Sequence, residues 1–411
     1  MTRGLMKTAS GIAIAAAAGL FATTAQAADL GGNCCADLEE RVAELEATTA
    51  RKGNRKVSLT VYGQVNKALL WHDDDSEGSY REGKLTVRDN DAGQSRFGFR
   101  GEAKIRPDLA AGYQIEIGVT EDKGTGSDKG SLYIRHNFVY LDSQSMGRVS
   151  LGQTSQVTDG LYEINLARTH VTPGGMDESG DFLSSTFTGT FKTPFDGGRK
   201  QGVYYRTPTL AGFVLSAGWS HGTQDSVTWV DADDLATYKY DDADEAWEVA
   251  LRYAGEFNGV RIAAGIGYRH EKDNTATFKE VPGPDPIPPT DDRADADIWL
   301  GSGSIMHTPT GLFVSGGYAR MDSENNSKDQ DGWWVMAGIE KNFFGPGNTT
   351  LFGEYSEVDF KNAAKDGNYW GLGVVQQIDA AAADLYLNFR NYELDSGDDA
   401  NVVVGGMIIR F

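Results

Sequence analysis

From residue 57 to the last residue, apolar and polar side chains alternate with a period of two over one short segment after another. In 57–71 the odd positions are Val57, Leu59, Val61, Gly63, Val65, Lys67, Leu69 and Trp71, and the even ones include Ser58, Thr60, Gln64 and Asn66. In 95–106 one face carries Phe97, Phe99, Ala103 and Ile105, and the other Arg96, Arg100, Glu102, Lys104 and Arg106. In 112–120 Tyr113, Ile115, Ile117 and Val119 alternate with Gln114, Glu116, Gly118 and Thr120. Successive side chains of a strand point to opposite faces, so these segments read as strands with one apolar and one polar face. Further strands are predicted at 132–141, 147–154, 201–207, 212–220, 246–254, 260–270, 297–307, 312–321, 333–343, 349–358, 369–378, 383–391 and 402–411, sixteen in all. The last departs from strict alternation, because Val402, Val404 and Ile408 fall on its polar phase.

The connections are of two kinds. Those at 106–110, 143–147, 208–211 and 255–258 are tight, whereas 73–90, 223–244, 271–296 and 322–331 are long and polar. The longest runs from 155 to 200, between the fifth and sixth strands. A connection of that length in a compact chain is usually functional.

The chain opens with Arg3 and Lys7, then a small apolar stretch from 10 to 20, then Ala25-Gln26-Ala27. This is the pattern of an export signal cleaved after Ala27, too short in its apolar part to span a bilayer. Lipid cannot satisfy free backbone groups, so only helices and closed barrels cross a membrane. An exported chain of half-apolar strands therefore points to a transmembrane β-barrel. Alternating short and long connections, and an even strand number, fit the two rims of such a barrel.

Composition agrees. A quarter of the residues are charged and the mean hydropathy is negative, −0.41, which suits a wall with only every second residue facing lipid. Removing residues 1–27 takes Arg3 and Lys7 with it, leaving 384 residues and moving the formal charge from −21 to −23. Such acidity, without a basic stripe, excludes a nucleic-acid binder. The two cysteines, Cys34 and Cys35, are adjacent and have no nearby histidine to complete a metal site. They could cross-link neighbouring chains in an oxidising compartment, stay unpaired or be bridged locally. Just beyond them, Cys35, Leu38, Val42 and Leu45 keep heptad spacing over a short helical stretch, 37–48. This divides the chain into a signal (1–27), an N-terminal periplasmic segment with a short helix (28–56) and a barrel (57–411).

Several short runs resemble the Gram-negative general porins, and most of all their alphaproteobacterial branch. They are Val61-Tyr62-Gly63-Gln64, Ser95 through Glu102 (SRFGFRGE), Gly147 through Gln153 (GRVSLGQ), Tyr204-Tyr205-Arg206-Thr207-Pro208 with Gly212-Phe213, and the terminal Phe411. The resemblance implies an all-β, sixteen-stranded antiparallel barrel, trimeric, with segment 155–200 as a third loop folded inward to form a constriction. It also implies that Phe411 is the signal read by the barrel-assembly machinery. Arginines clustered on the wall opposite that loop would match Arg96, Arg135 and Arg206, with Arg100 beside them. Parity places the three on the inward face independently. Arg96 is out of phase with Phe97 and Phe99, Arg135 with Ile134 and Phe138, and Arg206 with Val203 and Tyr205. Gln64 stands where many relatives carry a lysine. Asp177, Glu178 and Asp181, clustered around Gly180, are the candidate acidic side of the constriction.

These features imply a water-filled channel in the outer membrane of a Gram-negative bacterium. It would pass small hydrophilic solutes and ions, with a mild cation preference, and sit among lipid and lipopolysaccharide. Trp71, Tyr140, Trp219, Trp247, Tyr253, Tyr268, Trp299, Tyr318, Trp333 and Trp370 would include its interfacial aromatic girdles. A channel specific for a sugar or an anion, and a closed structural or adhesive barrel, are the competing expectations. No enzyme is expected, since the six histidines are dispersed and no nucleophile elbow or Walker loop is present. No cofactor or metal is implied, because the acidic runs 73–75, 231–234 and 241–245 lack the ligand spacing of a calcium loop. The proline-rich stretch 282–289 reads as a stiff exposed loop.

Overall fold

The computed structural model describes residues 56–74, 84–119, 130–171, 185–191, 194–221, 237–241, 245–272, 275–279, 295–324, 329–361 and 366–411. The proposed signal, the short helix at 37–48, Cys34 and Cys35, and the stretch 282–289 lie outside them. So do Asp177, Glu178 and Asp181. Within the described residues the strands are β1 (Thr60–Asp74), β2 (Lys84–Arg88), β3 (Arg96–Arg106), β4 (Leu109–Val119), β5 (Leu132–Ser143), β6 (Gly147–Ser155), β7 (Arg199–Arg206), β8 (Phe213–His221), β9 (Thr237–Asp241) and β10 (Glu245–Phe257). They continue as β11 (Val260–Lys272), β12 (Thr275–Lys279), β13 (Ala296–His307), β14 (Leu312–Ser323), β15 (Gln330–Lys341), β16 (Thr349–Phe360), β17 (Gly367–Ile378), β18 (Ala383–Leu394) and β19 (Asp399–Arg410). A seven-residue helix, α1 (Ser185–Phe191), lies between β6 and β7.

Sixteen of these strands close into one antiparallel ring, in the order β1, β3 to β8, β10, β11 and β13 to β19, and back to β1. Closure leaves no unpaired edge, the condition for a sheet in lipid. Phe411 completes the seam by exchanging both backbone hydrogen bonds with Gly63, each 3.0 Å. Only glycine fits there, since a Cβ on residue 63 would lie 2.5 Å from the Phe411 ring and 2.7 Å from the Arg96 carbonyl.

All sixteen predicted strands are ring members. Three further strands arise where the sequence reading places loops. β2 pairs with residues 68–72 of β1, above the stretch of β1 that pairs with β3, so β2 and β3 form one stave interrupted by residues 89–95. β9 and β12 pair with each other and continue the β10–β11 hairpin. The connection between β14 and β15 is also shorter than the expected 322–331, spanning residues 324–329.

The alternation survives as alternate burial. On β10, Ala246, Glu248 and Ala250 are buried while Trp247, Val249 and Leu251 are exposed. The exposed set is the outward apolar belt. Near the long-loop rim it carries a cross-strand row of aromatic pairs: Trp219 with Trp247, Tyr268 with Trp299, Tyr318 with Trp333, and Tyr355 with Trp370. Tyr253 stacks on Phe213 at the opposite rim, with centroids 4.7 Å apart. Amphipathic rings of this kind suit the headgroup zone.

Tyr140 is a correction to that girdle, because it points inward and donates to Glu102 Oε2 at 3.2 Å. The cause is a bulge. Ile117 pairs with Ile134 but Glu116 pairs with His136, which leaves Arg135 as an extra residue on β5. Below the bulge the phase reverses, so Phe138 and Tyr140 share the inward side with His136, while Val139 and Leu141 are exposed. Arg135 is therefore inward as expected, but Phe138 is not its outward counterpart.

The apolar core lies within the ring. Leu161, Phe187, Phe191 and Phe195, all from the segment between β6 and β7, are fully buried. Burying each such side chain contributes roughly 1.5–3 kcal/mol. Phe191 packs on Tyr369 and Tyr392, with centroids 6.0 and 5.0 Å away, and Phe195 packs on Tyr162 at 5.2 Å. Val402 and Val404, the apolar exceptions on the last strand, belong to the same buried cluster as Ala167 and Val171 of this segment.

Candidate functional site

The segment after β6 is held to the inward faces of successive staves. On β10, Glu248 Oε2 accepts from Thr158 N and Oγ1 at 3.0 and 2.8 Å, while Arg252 donates to the carbonyls of Val157 and Asp159 at 2.8 and 2.6 Å. On β11, Arg269 donates to the carbonyls of Phe195 and Pro194 at 3.2 and 2.8 Å, gripping the returning limb. On β13, Ser302 Oγ donates to Leu161 O at 2.6 Å and accepts from Ile164 N at 2.9 Å, and Ser304 Oγ accepts from Leu166 N at 3.1 Å. On β15, Trp334 Nε1 donates to Tyr162 O at 2.7 Å. On β18, Asp384 meets His170 Nε2 at 2.8 Å and Arg168 Nη1 at 3.3 Å. The tip finally accepts from Asn90 Nδ2, through His170 O, at 3.4 Å. Residues 156–171 thus cross the ring from β10 to the insert beside β1.

Parity explains why these staves can bind a loop. Each contributes an inward polar group at the right height, a serine, arginine or carboxylate on β10, β11, β13 and β18 and the Trp334 indole on β15. Asp196 stays beneath the loop, accepting from Tyr162 N at 2.9 Å. Burial pushes its carboxyl up from 3.8 to about 6. The packed loop thus favours the protonated form, and stability is lost as pH rises from the free carboxyl's range through 6. Hydrogen-exchange protection of the Tyr162 amide is expected to fall between about pH 4 and pH 7, level off above that, and become pH-independent in Asp196→Asn. A flat profile in the unsubstituted protein would contradict this account.

The wall formed by β1 and β3 to β5 carries a different cluster, organised around Glu116. Its Oε1 accepts from Arg135 Nε at 2.8 Å and lies 3.7 Å from Arg96 Nε, while Oε2 accepts from Tyr62 OH at 3.0 Å. Arg135 Nη1 also donates to Gln94 Oε1 at 2.9 Å. Gln64 Nε2 donates to the carbonyls of Gly93 and Gln94 at 2.7 and 3.0 Å, so it fixes the 89–95 insert. Arg199, at the start of β7, adds its charge to the surroundings of Arg96 and His136. Two guanidinium groups, of Arg96 and Arg135, therefore meet one carboxylate, with a third cation nearby.

Of the expected constriction residues, the structure brings together Arg96, Arg135 and Gln64. Arg100 lies four residues below Arg96, about 13 Å along the strand, with its guanidinium 5.2 Å from the centre of the Tyr62 ring. Arg206 is inward but elsewhere, at the short-turn end, 3.9 Å from Asp142. Asp142 is seven residues below Arg135 on β5, roughly 23 Å away at strand rise. The residue that sequence reasoning missed is Glu116. Its alternation with Ile115 and Ile117 already placed it on the inward face.

A closed ring with an outward apolar belt, aromatic rims and a polar, loop-lined interior defines a transmembrane β-barrel. The chain belongs to the Gram-negative porin family, whose sequence profile matches residues 13–399, and it resides in the outer membrane. An outer membrane porin protein of Bordetella pertussis is 25% identical over 224 residues, 51% of this chain and 54% of that protein. The match thus spans about half of that relative's length. Among solved structures, an anion-selective porin from Comamonas acidovorans is 17% identical with a TM-score of 0.56, covering 86% of this chain and 100% of its own. OmpF of Salmonella typhi, solved with daunomycin, is 16% identical with a TM-score of 0.55, covering 87% of this chain and 98% of its own. At these identities the structural likeness concerns the fold.

Proposed function

We propose that this protein is a passive diffusion channel, through which small hydrophilic solutes and ions cross the outer membrane in water inside the barrel. The observation that carries this reading is the juxtaposition inside one ring. A loop is stapled across the inward faces of six elements of the wall, and a wall with a surplus of guanidinium groups lies beside it. A solute that fits between them keeps its hydration and meets a fixed field. Such a field favours small dipolar solutes over apolar ones, and charged rims bias ion choice. The net charge of −23 after signal removal gives a mild cation preference, softened because charges beyond about 8 Å are screened at physiological salt. Asp177, Glu178 and Asp181 supply the opposing acidic side. Three copies assemble side by side among lipid and lipopolysaccharide, and the barrel-assembly machinery reads Phe411.

Single-channel recording in a planar bilayer tests this, with the reversal potential measured in a salt gradient. Large steps closing in threes, with reversal on the cation side, are expected. Arg96→Ala should raise the cation-to-anion permeability ratio and Asp181→Ala should lower it. Silent bilayers from folded protein would move the weight to a closed structural barrel, and saturable flux of one sugar would mark a specific channel.

A further inference from the structure

Arg206 leads to a second site at the other end of the lumen. Four inward side chains form one cross-strand row at the short-turn rim: Asp142 on β5, Arg148 on β6, Arg206 on β7 and Ser216 on β8. Arg148 and Arg206 are directly opposite each other, an arrangement that costs stability unless an anion sits between the charges. Asp142 serves Arg148, accepting from its Nε at 2.7 Å and from its Nη2 as well. Arg148 is further fixed by the Tyr140 ring, 4.0 Å from its guanidinium carbon. The Arg206 contact to the same carboxylate oxygen, 3.9 Å, is too long for a hydrogen bond, and its side chain is half exposed. Beside the pair lies a cavity of about 410 Å³, whose lining includes Ser143, Gln144 and Thr207.

We propose that Arg206 and Arg148 form a binding site for a small oxyanion at the periplasmic mouth of the channel. The planar fork of Arg206 matches two oxygens of a phosphate or carboxylate. The row faces the lumen, so the ligand is a free ion in solution rather than a lipid headgroup. The placement of the site on the solute path rests on the diffusion-channel reading. The site itself would act as a subsite on which anions pause after the constriction.

The test uses inorganic phosphate with the detergent-solubilised protein, following the phosphorus-31 linewidth at constant ionic strength. Saturable broadening is expected, with apparent affinity at least tenfold weaker in Arg206→Ala and partly retained in Arg206→Lys, which keeps the charge without the fork. Linear broadening, or equal broadening in Arg206→Ala, would overturn the proposal. The assay does not require conduction. Binding by a protein that is silent in bilayers would therefore retain the site while removing the diffusion reading, and conduction without binding would do the reverse.

Discussion

Glu354→Ala is expected to cost the barrel about 3–5 kcal/mol, the cost of leaving one partner of a buried ion pair uncompensated. Glu354 on β16 and Arg390 on β18 form a two-pronged pair across β17, with Nε to Oε1 at 2.8 Å and Nη2 to Oε2 at 3.0 Å. Their side chains are only 2% and 1% exposed, so water cannot replace a lost partner. Arg390 also donates to Tyr392 OH at 3.3 Å and lies 4.7 Å from the Tyr369 ring centre, the same rings that receive Phe191. The damage should therefore spread to the inserted segment. Urea unfolding of the refolded barrel, followed by tryptophan fluorescence, measures it. Glu354→Leu combined with Arg390→Met should recover most of the loss, because a well-packed apolar pair carries no desolvation penalty. A shift below about 1 kcal/mol for Glu354→Ala would show that the pair is hydrated in the lumen and stabilises little.

The second large effect concerns the inserted segment. Excising residues 160–195 and joining the ends with a short glycine–serine linker should raise single-channel conductance about twofold or more, since a sixteen-stranded ring without a plug encloses an open aqueous channel. The ring should still form, because its ladder hydrogen bonds run between staves and not through the loop. A gentler variant tests the staples. Arg252→Ala with Arg269→Ala removes the donors to Val157, Asp159, Pro194 and Phe195. It should produce noisy, fluctuating currents rather than a uniform step. Unchanged conductance in the excised protein would mean that the segment does not set the width of the path.

The strands were legible because their period is the physics of a wall between two solvents. β2, β9 and β12 were not. KLTVR, TYKYD and TATFK are five-residue runs inside long polar connections, and two of them extend a hairpin beyond the alternating wall. The candidate site was legible in one dimension only. Parity tells which side of the wall a residue faces, and it placed Arg96, Arg135, Arg206 and Glu116 inward. It carries no information about height, so it could not separate Arg206 at the rim from Arg96 and Arg135 beside Glu116. The stapling residues Ser302, Arg252 and Arg269 were hidden for a different reason. Their partners are backbone groups about 75 to 140 positions away, and no local pattern announces such a contact. Even the irregular final strand was informative, because Val402 and Val404 belong to the buried cluster shared with the loop.

The bulge on β5 has a further consequence. Arg135 has no opposite number on β4, and the pairs on either side of it, Ile117 with Ile134 and Glu116 with His136, are complete without it. Removing residue 135 would restore plain alternation and leave every other side chain on its present face. This wall can therefore gain or lose a lumen charge through a change in length, with no residue exchanged for another. For a lineage exploring what to admit, a codon dropped here would retune the channel while sparing the lipid-facing surface, whereas a codon dropped elsewhere in the stave would turn that surface inside out.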